Sequence, residues 1–443
     1  MAKIGSKHTS GWKATISVAM ANYIEAGSII AAASSLTLWQ SFLKLDSLAI
    51  GLLSALSANA FAAAVGALIG GYLCDKYGRK FIYTYDLLAY MLGVFIIAVS
   101  FNFPMLLIGT IITGIAVGAG VPASWTYIAE EAPSDKRAAH VGTAQLAWSC
   151  GPAITFILAV LLSPLGLLGS RIIFIILLII AFITWYIRQG LSESTIWKEQ
   201  KALEEQDPQV DKLSKSTLKE LFRLKVNRQA LFLLIGIYLF WNLTAGAMGY
   251  FMPYIYQNVG GLSGEQANLL QAFLWILTVL TTFFVFMKLG DKYSRRFLFG
   301  LGAVMGIAAW LILTFSTMGW FSLFAFVILW GSAAGFGAQA FYGLWASELF
   351  PTKYRAGAQG FMYFLVRFGI AIWSFVLPLI MDTLGFKTAG IVMIVFLAIH
   401  CIIGILLAPN TQGKTLEEIE EERFGTETTI KNQDLTITGE SID

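Results

Sequence analysis

Charged residues are scarce in this sequence, and that scarcity limits where the chain can fold. Of its 443 residues, 13% are charged and 57% are hydrophobic, and the mean hydropathy is +0.70. A water-soluble domain carries about 25% charged residues, which cover its surface. An apolar solvent removes that need, so the composition excludes an ordinary soluble protein and predicts a membrane protein.

Residues that carry catalytic or metal chemistry are also few. The three cysteines, Cys74, Cys150 and Cys401, fall at a cytoplasmic end or within predicted spans, so no extracellular disulfide framework is indicated. The sequence contains no Walker-type phosphate loop, no Cys/His metal spacing and no Ser/His/Asp grouping in a polar loop. We therefore expect no enzyme, no cofactor, no metal site and no nucleic-acid partner.

Long apolar runs are what the sequence has instead. A helix needs about 20 residues to cross ~30 Å of hydrocarbon, and the runs lack the two-residue alternation of a membrane barrel. They predict an all-α integral membrane protein with twelve transmembrane helices in two pseudo-symmetric six-helix bundles. The first run is too long for a signal peptide and is interpreted as a retained helix. The runs cover residues 14–36, 49–73, 81–100, 103–129, 140–165, 171–187, 229–256, 263–287, 297–317, 320–346, 356–381 and 386–408.

The basic residues indicate how these helices are oriented, because Lys and Arg concentrate in cytoplasmic loops. With the amino terminus inside, all 30 of them lie inside except Lys44, Arg171, Lys387 and the intramembrane Arg367. This bias predicts an even number of spans with both termini cytoplasmic, in a plasma membrane. The short loops favour a prokaryotic inner membrane, and we expect the chain to work as a monomer in the lipid bilayer.

The longest polar interval divides the chain into two sets of helices. We predict an amino-terminal six-helix bundle over 1–187 and a carboxyl-terminal one over 229–408. Between them, 188–228 is predicted to be a cytoplasmic linker with short amphipathic helices, and 409–443 is predicted to be a cytoplasmic tail.

Two short charged motifs recur in both predicted bundles at nearly the same offset. Parallel repeats of this kind predict a transporter whose substrate cavity lies between two rocking halves. We predict that the repeated charges form a cytoplasmic latch that holds the outward-facing state. The alternative is that they only anchor short loops on the positive side of the membrane. The repeated positions are Asp75, Arg79, Glu130 and Arg137 in the first bundle, and Asp291, Arg295, Glu348 and Arg355 in the second.

These motifs resemble those of the sugar porter family of the major facilitator superfamily, across essentially the whole chain. Tyr127-Ile-Ala-Glu and Ser347-Glu-Leu-Phe-Pro are similar to the family's signatures after the fourth and tenth helices. Pro409-Asn-Thr-Gln-Gly-Lys-Thr-Leu-Glu-Glu-Ile closely resembles its carboxyl-terminal Pro-Glu-Thr-Lys-Gly-x-Thr-Leu-Glu-Glu-Ile sequence. Ser192-Glu193-Ser-Thr-Ile-Trp is similar to its Pro-Glu-Ser-Pro-Arg-Trp box, without the prolines and the arginine. The resemblance implies a major facilitator fold, alternating access, and a place for Glu193 in the latch.

Glu25 lies within the first predicted helix, where a charge is costly and is by default a functional site. The resemblance places it at the first-helix Asp that couples proton movement in symporting members of the family. It therefore implies proton coupling through Glu25. The alternative is a permanently protonated Glu25 that hydrogen-bonds a neighbouring helix. Thr110 stands where the family carries the fourth-helix Arg that pairs with this carboxylate.

Arg367 is the other charge deep inside a predicted span, and three roles are open for it. It binds an anionic substrate through its guanidinium, it is the counter-ion of Glu25, or it caps carbonyls of a kinked neighbouring helix. Asp86, a few residues inside the third helix, is expected to pair with the Arg79/Lys80 end of that helix.

The residues that bind sugar in the resembled family are mostly absent. Gln145 matches its fifth-helix Gln, and amides suit sugars because they both donate and accept hydrogen bonds. Phe240-Trp241 and Gly246 stand at its seventh-helix Gln pair and Asn, and Gly343 stands at its tenth-helix Trp. Neighbouring polar and aromatic residues are therefore needed to rebuild a pocket. The candidates for substrate binding are Asn22, Gln145, Trp241, Asn242, Tyr342, Trp345 and Arg367.

Three functions follow, in order of expectation. The first is a secondary active transporter, a proton symporter of a sugar, polyol or similar small polar solute. The second is a carrier of a small organic anion or aromatic acid, which Arg367 and the lost amides favour. The third is a non-transporting membrane sensor, which the latch motifs in both halves oppose.

Overall fold

The structure, a computed structural model, describes residues 12–131, 137–194, 197–198, 201–202, 221–290, 292–350, 355–414 and 418–423. These ranges are helical, and they contain no strand. Ten helices in them are long and apolar enough to cross a membrane. One of the ten, Gly357–Leu407, covers two spans, and a shorter apolar helix, Phe61–Cys74, belongs to a further span. Within the described residues the spans therefore number twelve, as the apolar runs predicted.

The first six spans are joined by short turns. They are formed by Trp12–Leu43, by Ser47–Ala55 together with Phe61–Tyr77, by Arg79–Val99, by Phe103–Glu131, by Arg137–Leu162, and by Leu167–Gln189. A 3-10 turn, Ser163–Leu165, separates the fifth span from the sixth.

The last six spans begin at Lys225. They are formed by Lys225–Asn258, by Gly264–Thr281 with the π-helical Thr282–Met287, by Arg295–Phe315, by Trp320–Phe336 together with Ala338–Glu348, and by Arg355–Leu407. The last helix contains the eleventh and twelfth spans, which turn back on each other at Gly385. A positive φ of 80° there suits glycine, which has no Cβ to clash.

Two spans that were predicted as single helices are interrupted. The run 49–73 breaks between Ala55 and Phe61, and the tenth span breaks at Gly337. In the first break, the Ser57 hydroxyl donates to the Ser54 carbonyl at 2.8 Å and accepts the Asn59 N–H at 3.1 Å. Short polar side chains that bond the local backbone in this way compete with helical hydrogen bonds.

Small residues let the second and fourth spans approach closely. A Cβ on Gly66 would lie 2.1 Å from the Ile115 carbonyl oxygen, and a Cβ on Gly118 would lie 2.2 Å from the Ala63 carbonyl oxygen. Lipid provides little hydrophobic driving force for helix association, so close packing between small residues stabilises the contact instead. This contact holds the second span, and with it the interruption, against the fourth span.

The first six spans meet the last six along several pairs of helices. The second span packs against the eleventh, where a Cβ on Gly360 would lie 2.9 Å from the Ala67 carbonyl oxygen. The fifth packs against the eighth, and a Cβ on Gly142 would lie 2.7 Å from Met287 Cγ. The first packs against the seventh. We call the end of the molecule that carries Gly78 and Arg295 the motif end.

Candidate functional site

Two neighbouring cavities lie where the first six and last six spans meet. The larger has about 20 Å³ of free space, room for about one water molecule, so its walls lie close together. We call it the Trp cavity, because its lining includes Trp148, Trp241, Trp275 and Trp330, with Asn59, Gln145, Asn242, Gln339 and Arg367. The smaller, with about 10 Å³ of free space, is called the Tyr cavity; it is lined by Asn22, Glu25, Val121, Trp125, Tyr238, Gln339, Tyr342, Gln359 and Tyr363.

The two cavities follow one another along the spans. In the seventh span, which starts at the motif end, Tyr238 of the Tyr cavity precedes Trp241 of the Trp cavity. In the eleventh, Tyr363 precedes Arg367 in the same direction. The Tyr cavity therefore lies nearer the motif end, and Gln339 borders both cavities.

A buried ion pair lies between the cavities and joins the two sets of spans. Arg367 Nη2 of the eleventh span contacts Glu25 Oε1 of the first, and their side chains are 3% and 1% exposed. The Tyr363 hydroxyl donates to the same carboxylate oxygen and accepts from Arg367 Nη2. The Trp148 indole N–H donates to Glu25 Oε2 at 3.2 Å. Of the three roles open for Arg367, the structure shows two. It is the counter-ion of Glu25, and its Nη1 also donates to the Asn59 carbonyl at the interruption of the second span, at 3.0 Å.

The fourth span lacks the arginine that pairs with this carboxylate in the resembled family, because Thr110 stands at that position. Thr110 turns its hydroxyl to the Leu106 carbonyl of its own helix, at 2.8 Å. The positive charge comes instead from the eleventh span, where Tyr363 and Arg367, four positions apart, share one face of the helix. An ion pair inside one set of spans is thus replaced by one that crosses between the two sets.

Several buried polar atoms of the cavity walls have no hydrogen-bond partner among the described residues. They are Gln145 Oε1, Trp275 Nε1 and Arg367 Nε in the Trp cavity, and Gln359 Nε2 in the Tyr cavity. Buried polar groups in proteins are paired in the great majority of cases. The arrangement can therefore take a ligand that both donates and accepts hydrogen bonds.

Asn22 and Tyr342, two of the predicted binding residues, lie in the Tyr cavity. The Asn22 amide is engaged, because its Oδ1 accepts the Trp125 indole N–H at 2.6 Å and its Nδ2 donates to Ser124 Oγ at 2.9 Å. Tyr342 stacks on Tyr238 with the ring centroids 3.8 Å apart. These two residues build the wall of the cavity nearer the motif end.

Gln145, Trp241, Asn242 and Arg367 line the Trp cavity, and their role in substrate binding stays a prediction. The structure places Trp345 elsewhere. Its ring is fully buried and packs on Phe341 and Phe299, with centroids 5.2 and 5.8 Å away. Its inclusion among the substrate-binding candidates is corrected accordingly, because the tenth span turns this ring into the packing of the last six spans.

Sequence reasoning missed several residues of the site. Asn59 was hidden in a run interpreted as a continuous helix, and its polar character inside that run was the available signal. Tyr363 was detectable from its spacing to Arg367. Gln339 offered the same signal as Asn59, a polar residue inside an apolar run. Trp125 and Trp148 carry no signal that distinguishes them from lipid-facing or core residues in an apolar helix.

The predicted latch residues whose side chains the structure describes lie at the motif end, in two groups. Arg295 Nη1 pairs with Glu348 Oε2 at 2.8 Å and donates to Thr411 Oγ1 at 2.6 Å. Glu193 accepts the backbone N–H groups of Arg79 and Lys80, both at 2.9 Å, at the start of the third span. Asp291 lies outside the described residues, as do the side chains of Asp75, Glu130, Arg137 and Arg355.

The expected partner of Asp86 was wrong. Asp86 Oδ2 lies 4.0 Å from Arg188 Nη1, and Arg188 also donates to the Ser17 and Val18 carbonyls. Arg79 precedes Asp86 by seven positions, about 10 Å along a helix. It turns the other way and donates to the Cys74 carbonyl.

Twelve spans, paired cavities between two sets of six, and a buried ion pair that crosses between the sets are the features of a membrane solute transporter. The family is shown by comparison with known proteins. The model of the Sugar (and other) transporter family matches residues 44–422, and the chain belongs to that family. The resemblance drawn from the sequence motifs is thereby confirmed.

Individual relatives agree with this assignment. The chain is 49% identical over 416 residues to the minor myo-inositol transporter of Bacillus subtilis (strain 168), covering 93% of this chain and 94% of the relative. It is 27% identical over 397 residues to the arabinose-proton symporter of the same organism, covering 81% and 83%. Among solved structures, the proton:xylose symporter XylE matches with a TM-score of 0.77 at 19% identity, covering 92% of this chain and 98% of that one. The last likeness confirms the major facilitator fold.

Proposed function

We propose that this protein is a proton-coupled symporter of a neutral cyclic polyol, with myo-inositol as the first substrate to test. The proposal starts from the relative of 49% identity that is named a myo-inositol transporter. It is supported by the chemistry of the Trp cavity, which combines amides with four indole rings. Aromatic faces suit the C–H face of a six-membered ring, and amides suit its hydroxyl groups.

One observation carries the choice of a neutral solute: the charge of Arg367 is already matched by Glu25. An anion entering the Trp cavity would compete with a carboxylate that touches the same guanidinium. It would also carry its own cost of desolvation. A neutral solute enters without displacing Glu25 from Arg367.

The unpaired polar atoms support the same choice. Gln145 Oε1 needs a donor, whereas Trp275 Nε1 and Arg367 Nε need acceptors. A hydroxyl group does both, so a polyol can satisfy all three atoms. A carboxylate accepts only and would leave the Gln145 oxygen without a partner.

The second candidate, a carrier of small aromatic acids, is favoured by the four tryptophans of the Trp cavity. It requires that Glu25 be protonated before the substrate binds, because Arg367 has to be free to meet the carboxylate. The two candidates therefore differ in the order of proton and substrate binding, as well as in the charge of the solute.

Proton coupling is proposed to act through the bond between the two sets of spans. When Glu25 is charged, the ion pair with Arg367 ties the first span to the eleventh in a medium where charges interact strongly. When Glu25 takes up a proton, that tie is reduced to hydrogen bonds and the two sets can rock. The titratable and charged groups that face Glu25 are Arg367 and Tyr363 of the eleventh span and Tyr238 of the seventh.

The remaining parts of the proposal are those predicted from the sequence. The moving units are the bundles over 1–187 and 229–408, joined by 188–228 and followed by the tail 409–443. The motif end faces the cytoplasm of the plasma membrane, with both termini inside, and the monomer is the working unit. Arg79, Glu193, Arg295 and Glu348, with the predicted latch residues outside the described part, hold the cytoplasmic side closed until the bundles rock.

Uptake by the purified protein in proteoliposomes tests the proposal. Labelled myo-inositol, other cyclitols, hexoses and aromatic carboxylates are offered with and without an inward proton gradient. We expect proton-driven accumulation of a cyclitol and no uptake of the carboxylates. Accumulation of a carboxylate that is lost in Arg367→Ala, without cyclitol uptake, would replace the proposal with the second candidate.

A further inference from the structure

The interruption of the second span presents one polar residue to the last six spans. Between Ala55 and Phe61 the turn satisfies itself locally: Ser57 N–H donates to the Ser54 carbonyl, and Ala60 N–H donates to the Ser57 carbonyl. Irregular backbone at membrane depth is tolerated where it is buried in protein or lines a cavity. Asn59 meets both conditions, because it is 4% exposed and borders the Trp cavity.

Besides its backbone N–H, which donates to Ser57 Oγ in the same turn, Asn59 makes three hydrogen bonds to the other set of spans. Arg367 Nη1 donates to the Asn59 carbonyl oxygen at 3.0 Å and to its Oδ1 at 2.8 Å. Asn59 Nδ2 donates to the Gly246 carbonyl of the seventh span at 3.0 Å. The reverse amide orientation would set an NH₂ group against the guanidinium and an oxygen against a carbonyl, so the partners fix the orientation.

From this geometry we propose that Asn59 is a positioning residue for proton coupling, an inference that rests on the proton symport proposed above. Arg367 is held from two sides, with Glu25 on Nη2 and Asn59 on Nη1. When Glu25 becomes neutral, Asn59 still supplies two acceptors to the buried guanidinium. Arg367 therefore stays in place, and the charged pair can form again when the proton leaves.

Asn59 also connects the ion pair to the substrate cavity. Its side chain links Arg367 to the backbone of Gly246, where the resembled family places a binding residue. A substrate that displaces either contact changes how well Arg367 is compensated, and hence how readily Glu25 takes up a proton. Tyr363 and Tyr238 also face this pair, and they are left unchanged in the experiment below.

The test is the pH profile of proton-driven uptake of labelled myo-inositol, measured for full-length parent and variants in proteoliposomes. In Asn59→Ala, Arg367 depends on the charged form of Glu25, so protonation of Glu25 becomes harder. The proton concentration that gives half-maximal uptake should rise on the order of tenfold, which moves the midpoint to lower pH; this is the size expected for losing a hydrogen bond to a charged group. In Asn59→Asp, a second carboxyl beside Arg367 makes proton uptake easier, because two carboxylates sharing one cation repel each other. Its midpoint should move to higher pH, opposite to that of Asn59→Ala.

Ser54→Ala is the matched control. Ser54 is a buried residue at the same interruption whose hydroxyl donates to the Gly51 carbonyl at 3.0 Å, away from Arg367. It should keep the parental pH midpoint. Opposite shifts in the two Asn59 variants support the inference.

Shifts in the same direction, or a lower maximal rate at an unchanged midpoint, overturn the inference and leave Asn59 a structural residue. Counterflow of labelled myo-inositol at equal pH on both sides separates this failure from a broader one. A parent that shows neither counterflow nor proton-driven uptake of any solute offered refutes the proposed function itself.

Discussion

Trp125 of the fourth span fills the space next to Gly343 of the tenth. A Cβ added to Gly343 would fall 1.5 Å from Trp125 Cζ3, so no larger residue fits there without moving the indole. The resembled family carries a Trp on the tenth helix at this position, so here the fourth span supplies the aromatic ring. Asn22 holds the ring by accepting its N–H at 2.6 Å. The contact crosses between the two sets of spans on the motif-end side of the Tyr cavity.

Enlarging Gly343 should therefore impair transport. We expect Gly343→Ala to slow myo-inositol counterflow by about tenfold. Overpacking a close contact costs about 1–3 kcal/mol, and here it should destabilise the state in which the motif end is closed. The measurement is counterflow into proteoliposomes at equal pH. Gly300→Ala is the control, because a Cβ there meets Ile405 at an ordinary 3.5 Å. Counterflow at the parental rate in Gly343→Ala would show that Trp125 moves aside easily and that its contact with Gly343 does not close the motif end.

Replacing Glu25 with Gln should separate transport from proton coupling. The amide keeps the size of the carboxyl group but cannot ionise, so proton-driven accumulation of myo-inositol should be lost while counterflow at equal pH persists. Asp86→Asn is the matched control, because Asp86 is also a buried carboxyl group but lies at Arg188 and borders neither cavity. Unchanged accumulation in Glu25→Gln would remove Glu25 from the coupling mechanism.

Removing Arg367 should destabilise the fold more than removing both charges of the pair. Arg367→Gln leaves Glu25 without its counter-ion, and breaking a buried pair from one side costs about 3–5 kcal/mol. The double variant Glu25→Gln with Arg367→Gln leaves no uncompensated charge and should recover part of that loss. Thermal unfolding in detergent of the parent, the two single variants Glu25→Gln and Arg367→Gln, and the double variant gives the interaction energy as a double-mutant cycle. Simple additivity of the two substitutions would show that the residues do not interact.

Much of the fold could be predicted because hydrophobic length is a local property of the chain. The same holds for the cost of an intramembrane charge, which singled out Glu25 and Arg367 before their pairing was visible. Which partners Arg367 takes depends on how spans far apart in sequence meet, and no local pattern encodes that. Trp345 and Tyr342 looked equivalent because the tenth span is apolar all round and has no polar stripe to set its rotation.

The contrast between Gln145 and Trp345 tests whether the Trp cavity is the binding site. Gln145 Oε1 is buried beside the cavity and has no hydrogen-bond partner in the described part of the chain, whereas Trp345 packs among Phe341 and Phe299. Gln145→Ala should raise the KM for myo-inositol by about five- to tenfold, because a hydrogen bond contributes about 0.5–1.5 kcal/mol, with little change in the maximal rate. Trp345→Phe should leave the KM at the parental value even if the protein becomes less stable. The measurement is initial uptake over a range of substrate concentrations at one fixed proton gradient. A raised KM in Trp345→Phe with a parental KM in Gln145→Ala would move the binding site out of the Trp cavity, and with it the argument that its unpaired atoms select a polyol.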